Sequence, residues 1–108
     1  MKYISQTGGI LYHADIIESF DQLASNSIDL TVTSPPYDKL RTYDRDDWCW
    51  DNFTQVAHEL YRVTKTGGVV VWNVNDQTHN GSETGTSFRQ AMFFMDQVGF
   101  KLHDISKI

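Results

Sequence analysis

Apolar residues recur along this chain in two rhythms, and the switch between them outlines its elements. Ile10-Leu11-Tyr12-His13-Ala14 is a short apolar run between Gly8-Gly9 and Asp15, which predicts a strand over 10–14. Asp15 then opens a helix, with Glu18 three positions on in a capping-box pattern. Ile16, Phe20 and Leu23 share one face of that helix, and Asn26 stops it. Ile28 to Thr33 is continuous, β-branched and nearly uncharged, the composition of a central parallel strand covered on both faces. From Asp38 to Asp51 no periodicity survives, and aspartates mix with Arg41, Arg45, Tyr43, Trp48 and Trp50. A loop of that length in a compact domain tends to carry function. Asp51 caps a helix whose apolar positions Phe53, Val56, Ala57, Leu60 and Val63 keep the 3.6-residue spacing, and Gly67-Gly68 end it.

Val69 to Val74 predicts a second buried strand, and Asn75 to Thr86 a polar loop in which Gly81-Ser82-Glu83-Thr84-Gly85 reads as a flexible stretch. Thr86 or Ser87 caps a last helix marked by Phe88, Ala91, Met92 and Met95, and the Phe93-Phe94-Met95 cluster reads as core. Gly99 lies beyond that helix, and Phe100 to Ile108 opens a final strand. The order β-α-β-loop-α-β-α-β is that of an α/β fold: a doubly wound, mostly parallel sheet of about four strands with three helices and right-handed crossovers. Ligands in such sheets sit beyond the carboxyl ends of the strands. Asp15, Ser34 to Tyr37 and Asn75-Asp76 all follow strand ends, so they are expected on one rim.

The 108 residues suit a single domain over 1–108, able to bury roughly 65% of its unfolded surface. A hydrophobic content of 40% with 13% aromatic excludes disorder, and no apolar run approaches the roughly 20 residues of a membrane span. Met1-Lys2-Tyr3-Ile4 leads straight to Gly8-Gly9 without a secretory pattern, and the single Cys49 allows no internal disulfide, so a cytoplasmic location without membrane contact is expected. The four histidines show no metal spacing with Cys49 or one another, so no metal site is expected. A net charge of −5 is the wrong sign for a free-standing nucleic-acid binder. Only Lys39, Arg41 and Arg45 cluster, and the aspartates among them fit a solvated loop as well as a phosphate contact.

Ser34-Pro35-Pro36-Tyr37 carries the chemistry. Two consecutive prolines fix φ and remove two backbone donors, so the strand stops and its last carbonyls lack ladder partners. A hydroxyl before them and an aromatic ring behind them suit a flat, amino-bearing ligand such as a nucleobase, gripped at its exocyclic NH2 and stacked on its face.

Asp29-Leu30-Thr31-Val32-Thr33-Ser34-Pro35-Pro36-Tyr37 resembles the catalytic motif of S-adenosylmethionine-dependent DNA methyltransferases that act on exocyclic amines, cytosine N4 or adenine N6. Ile10 to Asp15 is similar to that family's strand ending in an acidic residue near the cofactor adenine, and Glu59 to Val71 to its helix, Gly-Gly turn and strand. The resemblance implies a Rossmann-like domain with Ser34, Pro35, Pro36 and Tyr37 as catalytic residues. It also places Asp15, Thr33 and Ser34 beside S-adenosylmethionine, and Tyr37, Lys39 and Arg41 at a flipped base of DNA in the full-length enzyme. By the same resemblance, Ser34 and the Pro35 carbonyl would hold the amine in its reactive, pyramidal form, with orientation and electrostatics supplying the rate. Serine at the first motif position, where many adenine enzymes carry aspartate, favours cytosine N4.

The family's glycine-rich strand-to-helix turn and ribose-binding acid are missing from the expected places, so the chain reads as a partial catalytic domain with an incomplete cofactor site, inactive alone. The resemblance puts the strands bearing those motifs between 10–14 and 28–33. Without them, either those two strands pair directly or an open edge invites self-association into a homo-oligomer. Two alternatives stay open: a non-catalytic half-fold that serves as an interaction subunit, and a protein-glutamine N-methyltransferase, whose similar loop usually begins with asparagine.

Overall fold

Strand Ile28–Thr33 (β3) and strand Thr64–Trp72 (β4) run parallel, and the chain crosses between them through the helix Trp50–Val63 (α2). The computed structural model describes residues 2–35, 49–76 and 78–103. Before β3 come strands Lys2–Ile4 (β1) and Ile10–Tyr12 (β2) and helix Ile16–Phe20 (α1). After β4 come strands Thr78–His79 (β5) and Ser82–Glu83 (β6), helix Thr86–Phe93 (α3) and one π-helical turn over Phe94–Val98. This is a partial Rossmann-like α/β fold, in which a parallel pair is joined by antiparallel hairpins.

The strand expected over 10–14 forms, but its expected parallel partners are replaced by β1, which pairs antiparallel to β2 with Tyr3 opposite Leu11. The cause is the turn between them. Ser5 N donates to Gly9 O at 2.7 Å, Gly9 N to Ser5 Oγ at 2.9 Å, and Gly8 sits at φ +91°, a conformation glycine adopts without steric cost. Direct pairing of β2 with β3 does not occur.

β3 matches its predicted span, but β4 starts five residues early. Helix α2 ends at Val63, not at the glycines, and Thr64 closes it by hydrogen-bonding to Leu60 O. Ile28 pairs with Thr64 and Leu30 with Val69, so residues 65–68 bulge out of the ladder. Gly67 supplies φ +84° in this bulge, and a Cβ on Gly68 would lie 2.7 Å from Thr64 Cγ2 and 2.9 Å from Lys65 O. The glycines therefore build a bulge where the sequence suggests a helix cap. At the other end of α2 the cap is Cys49, not Asp51: its N–H donates to Asn52 Oδ1 at 3.1 Å.

Helices cover one face of the parallel pair. Phe53 is the hub, 1% exposed, with its ring centroid 4.9–5.7 Å from Trp50, Trp72, Phe93 and Phe94. Val56, Ala57, Leu60 and Val63 of α2, Phe20 of α1 and Phe94 complete this core, as the spacing of α2 predicts. The second face departs from expectation: no described helix lies on it. Its cross-strand pairs Leu30–Val69 and Val32–Val71 are open to solvent, with Leu30 58%, Val32 69%, Val69 51% and Val71 44% exposed.

Arg62 fastens α1 to this layer. Its guanidinium donates to Phe20 O at 2.8 Å, which also accepts from Leu23 N, and to Leu23 O at 3.0 Å in the turn after α1, and it pairs with Glu59. Helix α1 is shorter than predicted because the chain turns after Phe20, yet Leu23 still packs on the core and Asn26 takes the left-handed conformation.

The polar loop 75–86 holds structure that the sequence reading missed. Asn80 and Gly81 both adopt positive φ, 50° and 77°, which is the two-residue turn that matches strand twist, and β5 and β6 pair across it. Helix α3 also presents a different face. Gln90 and Phe94 are buried while Phe88 and Met92 are exposed, because the Gln90 amide accepts the Trp72 indole N–H at 2.9 Å. Residues 100–103 form no strand, and 104–108 lie outside the described residues. No described helix is long and apolar enough to cross a membrane.

Two substitutions test this packing. Phe53→Ala is expected to cost about 3–5 kcal/mol, read as a shift in urea unfolding followed by circular dichroism. Arg62→Met keeps the aliphatic stem but removes the charged donors to the Phe20 and Leu23 carbonyls, and should cost about 1.5–3 kcal/mol in the same assay.

Candidate active site at the carboxyl ends of the parallel strands

The ladder's last pair is Thr33–Trp72, and the two strands stay laced together one residue further. Asn73 N donates to Thr33 O at 2.9 Å, and Ser34 Oγ donates to Asn73 O at 3.1 Å. The Ser34 hydroxyl therefore holds a fixed direction at the rim, exposed, while Pro35 behind it is buried. This is the strand-end position that the proline pair requires, since Pro35 has no N–H to extend the ladder. Pro36, Tyr37, Lys39 and Arg41 lie outside the described residues.

Asp15 follows β2 as expected and caps α1, its Oδ1 accepting from Ile17 N at 2.9 Å. β2 belongs to the β1 hairpin, so the parallel ladder does not bring Asp15 to Ser34. Asp76 faces the first turn of α3. Its carboxylate accepts from Ser87 N at 2.7 Å and from Ser87 Oγ at 2.8 Å, which supplies the cap that Gly85, just before the helix, cannot. That grip ties the stretch after β4 to the start of α3, on either side of the β5–β6 hairpin. Asn73 is the site residue that sequence reasoning missed. Its part depends on which β4 residue stands opposite Ser34, and the bulge at 65–68 sets that register.

The rim therefore presents the Ser34 hydroxyl at the end of a parallel strand, directly before Pro35. The sequence model of a DNA methylase family, of the N6/N4 type, matches residues 28–107. The chain belongs to this family. Over 84 residues the methylase chain is 60% identical to the orphan methyltransferase M.BamHII of Bacillus amyloliquefaciens, a match that covers 78% of this chain and 30% of that protein. It is 30% identical to the type II methyltransferase M.SfiI of Streptomyces fimbriatus over 79 residues, 65% of this chain and 19% of that protein. The solved structure of the PvuII DNA methyltransferase (cytosine-N4-specific) superposes with a TM-score of 0.68 at 25% identity, covering 82% of the methylase chain and 34% of that chain. The methylase chain thus spans about a third or less of the length of these relatives.

Among the described residues, no group of three or more His, Cys, Asp or Glu side chains could hold a metal ion. For the cofactor of such enzymes the described rim offers the Ser34 oxygen as an acceptor for an amino or hydroxyl donor. Removing the Asp76 carboxylate in Asp76→Ala leaves two donors of α3 without their partner and should cost about 1–2 kcal/mol. Thermal unfolding of both proteins checks this, and an unchanged midpoint would show that the cap holds nothing.

Proposed function

We propose that this chain is the catalytic-motif part of a DNA methyltransferase of restriction-modification type. That enzyme transfers a methyl group from S-adenosylmethionine to the exocyclic amine of a flipped base, with cytosine N4 favoured over adenine N6. The observation that carries the reading is the Ser34 hydroxyl, fixed on Asn73 O at the carboxyl end of β3 and directly before Pro35. With its proton directed to that carbonyl, the Ser34 oxygen meets an amine N–H as an acceptor.

An exocyclic amine is a weak nucleophile because its lone pair is delocalised into the ring. Ser34 and the Pro35 carbonyl, accepting its two N–H groups, favour the pyramidal nitrogen, and Tyr37 supplies the stacking surface for the extruded base. Lys39 and Arg41 serve the flanking phosphates. Asp15 and Thr33 belong to the cofactor side of the site, where S-adenosylmethionine supplies an electrophilic sulfonium methyl. The protein's contribution is orientation and electrostatic placement, without a covalent enzyme intermediate. Support for cytosine comes from Ser34 itself and from the cytosine-N4 specificity of the PvuII relative.

The remainder of the cofactor site is proposed to lie outside these residues, so calorimetric titration of the folded chain with S-adenosylmethionine should give no heat at micromolar concentration. The decisive experiment grafts residues 1–108 in place of the matched segment of the M.BamHII relative and supplies S-adenosylmethionine with DNA. Nucleoside analysis of the product should show N4-methylcytosine, and Ser34→Ala should lower kcat by about 100-fold or more. N6-methyladenine would overturn the choice of base. Methyl incorporation into protein glutamine instead of DNA would overturn the whole reading.

A further inference from the structure

Of the five asparagines in the chain, one stands in a chemically labile place. Asn80 precedes Gly81 at the tip of the β5–β6 hairpin, and no other asparagine precedes a glycine. Both residues are exposed, and a Cβ added to Gly81 would meet nothing within 4 Å. Among the described residues nothing accepts the Gly81 N–H, so solvent hydroxide can take its proton. The other asparagines are shielded. Ser27 N, after Asn26, donates to Val63 O at 2.8 Å, and Phe53 N, after Asn52, donates to Cys49 O at 3.0 Å. Asn73 and Asn75 precede Val74 and Asp76, whose side chains crowd the backbone nitrogen in a way that glycine does not.

Once deprotonated, the Gly81 nitrogen is a nucleophile next to the side-chain carbonyl carbon of Asn80. Attack forms a bond from Gly81 N to Asn80 Cγ and breaks the Cγ–Nδ2 bond, and ammonia leaves with a proton returned by solvent. The product is a succinimide, which takes up one water. Cleavage of the new N–Cγ bond leaves an ordinary aspartate. Cleavage at the Asn80 main-chain carbonyl leaves a backbone that runs through the side chain and is one methylene longer. The balance is water in and ammonia out, with no change of oxidation state.

The folded turn opposes the first step. Positive φ at both Asn80 and Gly81 marks the primed turn in which ψ of the first central residue is about +30°. At that angle the Gly81 nitrogen lies nearly opposite Cβ across the Cα–C bond, whereas ring closure needs the two almost eclipsed. The hairpin must therefore open before Asn80 can react. With two paired residues on each strand it is marginal by itself. Its ends are held by the Asp76 carboxylate, which accepts from Ser87 N at 2.7 Å and Ser87 Oγ at 2.8 Å and so shortens the loop that the hairpin has to close. We propose that Asn80 is a site of spontaneous covalent modification, cyclising onto Gly81 and opening to aspartate and its β-linked isomer, at a rate that the Asp76–Ser87 grip sets by keeping the hairpin shut. The change runs one way. The product carries a carboxylate in place of the amide, and the longer, β-linked backbone does not fit a two-residue turn. None of this depends on the methyl-transfer reading.

The test incubates the folded 108-residue chain in heavy-oxygen water at mildly alkaline pH and maps its peptides by mass spectrometry. Heavy oxygen is expected at Asn80, in α- and β-linked products, while the other asparagines stay unlabelled over the same period and Asn80→Gln takes up none at that position. Asp76→Ala should speed the conversion about 5- to 30-fold, in line with the loss of stability expected for that cap. Ser87→Ala, which removes only the hydroxyl half of the grip, should fall between the two, and it decides the matter if Asp76→Ala does not fold. In urea, where the hairpin is gone, all three proteins should react at one rate, faster than the folded parent. Labelling that is absent from the folded chain, spread over several asparagines or no faster in either variant would overturn the proposal. So would equal rates for the parent with and without urea, or a difference between parent and variants that persists in urea, since the turn would then hold nothing back.

Discussion

Two parallel neighbours cannot be joined by a tight turn, and this constraint organises the described fold. The chain must travel the length of β3 again before it can lay down β4, and α2 is the means. Because α2 is tethered at both ends to the sheet it crosses, its apolar stripe is forced onto one face. Phe53 is then the buried side chain around which the rings of Trp50, Trp72, Phe93 and Phe94 gather. Everything chemically suggestive follows from the same arrangement. Both strands point the same way, so their carboxyl ends share a rim, and Ser34 finds Asn73 there.

Much of this was legible because burial writes a period into the sequence. The apolar positions of α2 appear at helical spacing and form its buried face, and Ile28 to Thr33 reads as an uninterrupted strand and is one. The Pro35-Pro36 pair announces the end of β3 by subtraction of backbone donors. Misreadings cluster where a local signal has more than one structural use. Gly67-Gly68 fits a helix terminus by residue type, but Thr64 had already closed the helix, so the glycines serve a bulge. Asp76, expected on the rim by its place after a strand, has its carboxylate occupied by Ser87. Gly8 suggests only a break, whereas Ser5 turns it into the corner of a hairpin, and β2 leaves the parallel layer.

The described part of the candidate site has the same character. Ser34 could be chosen from sequence because a hydroxyl ahead of two prolines is chemically distinctive. Asn73 could not, since it contributes only main-chain atoms, which carry no residue-type signal. Family membership explains why such a rim is present, while the geometry says what its first hydroxyl is bonded to.

The bulge at 65–68 has a remote consequence. Strand residues are spaced about 3.3 Å apart and alternate sides, so gaining or losing one residue there would slide β4 by one step and turn Val70 and Trp72 to the wrong side. Asn73 would leave its place opposite Ser34. Gly68, whose missing side chain lets the backbone of Lys65 and Asp29 come close, thus works like the zero mark on a ruler: a glycine at one end of the sheet calibrates where a hydroxyl stands at the other.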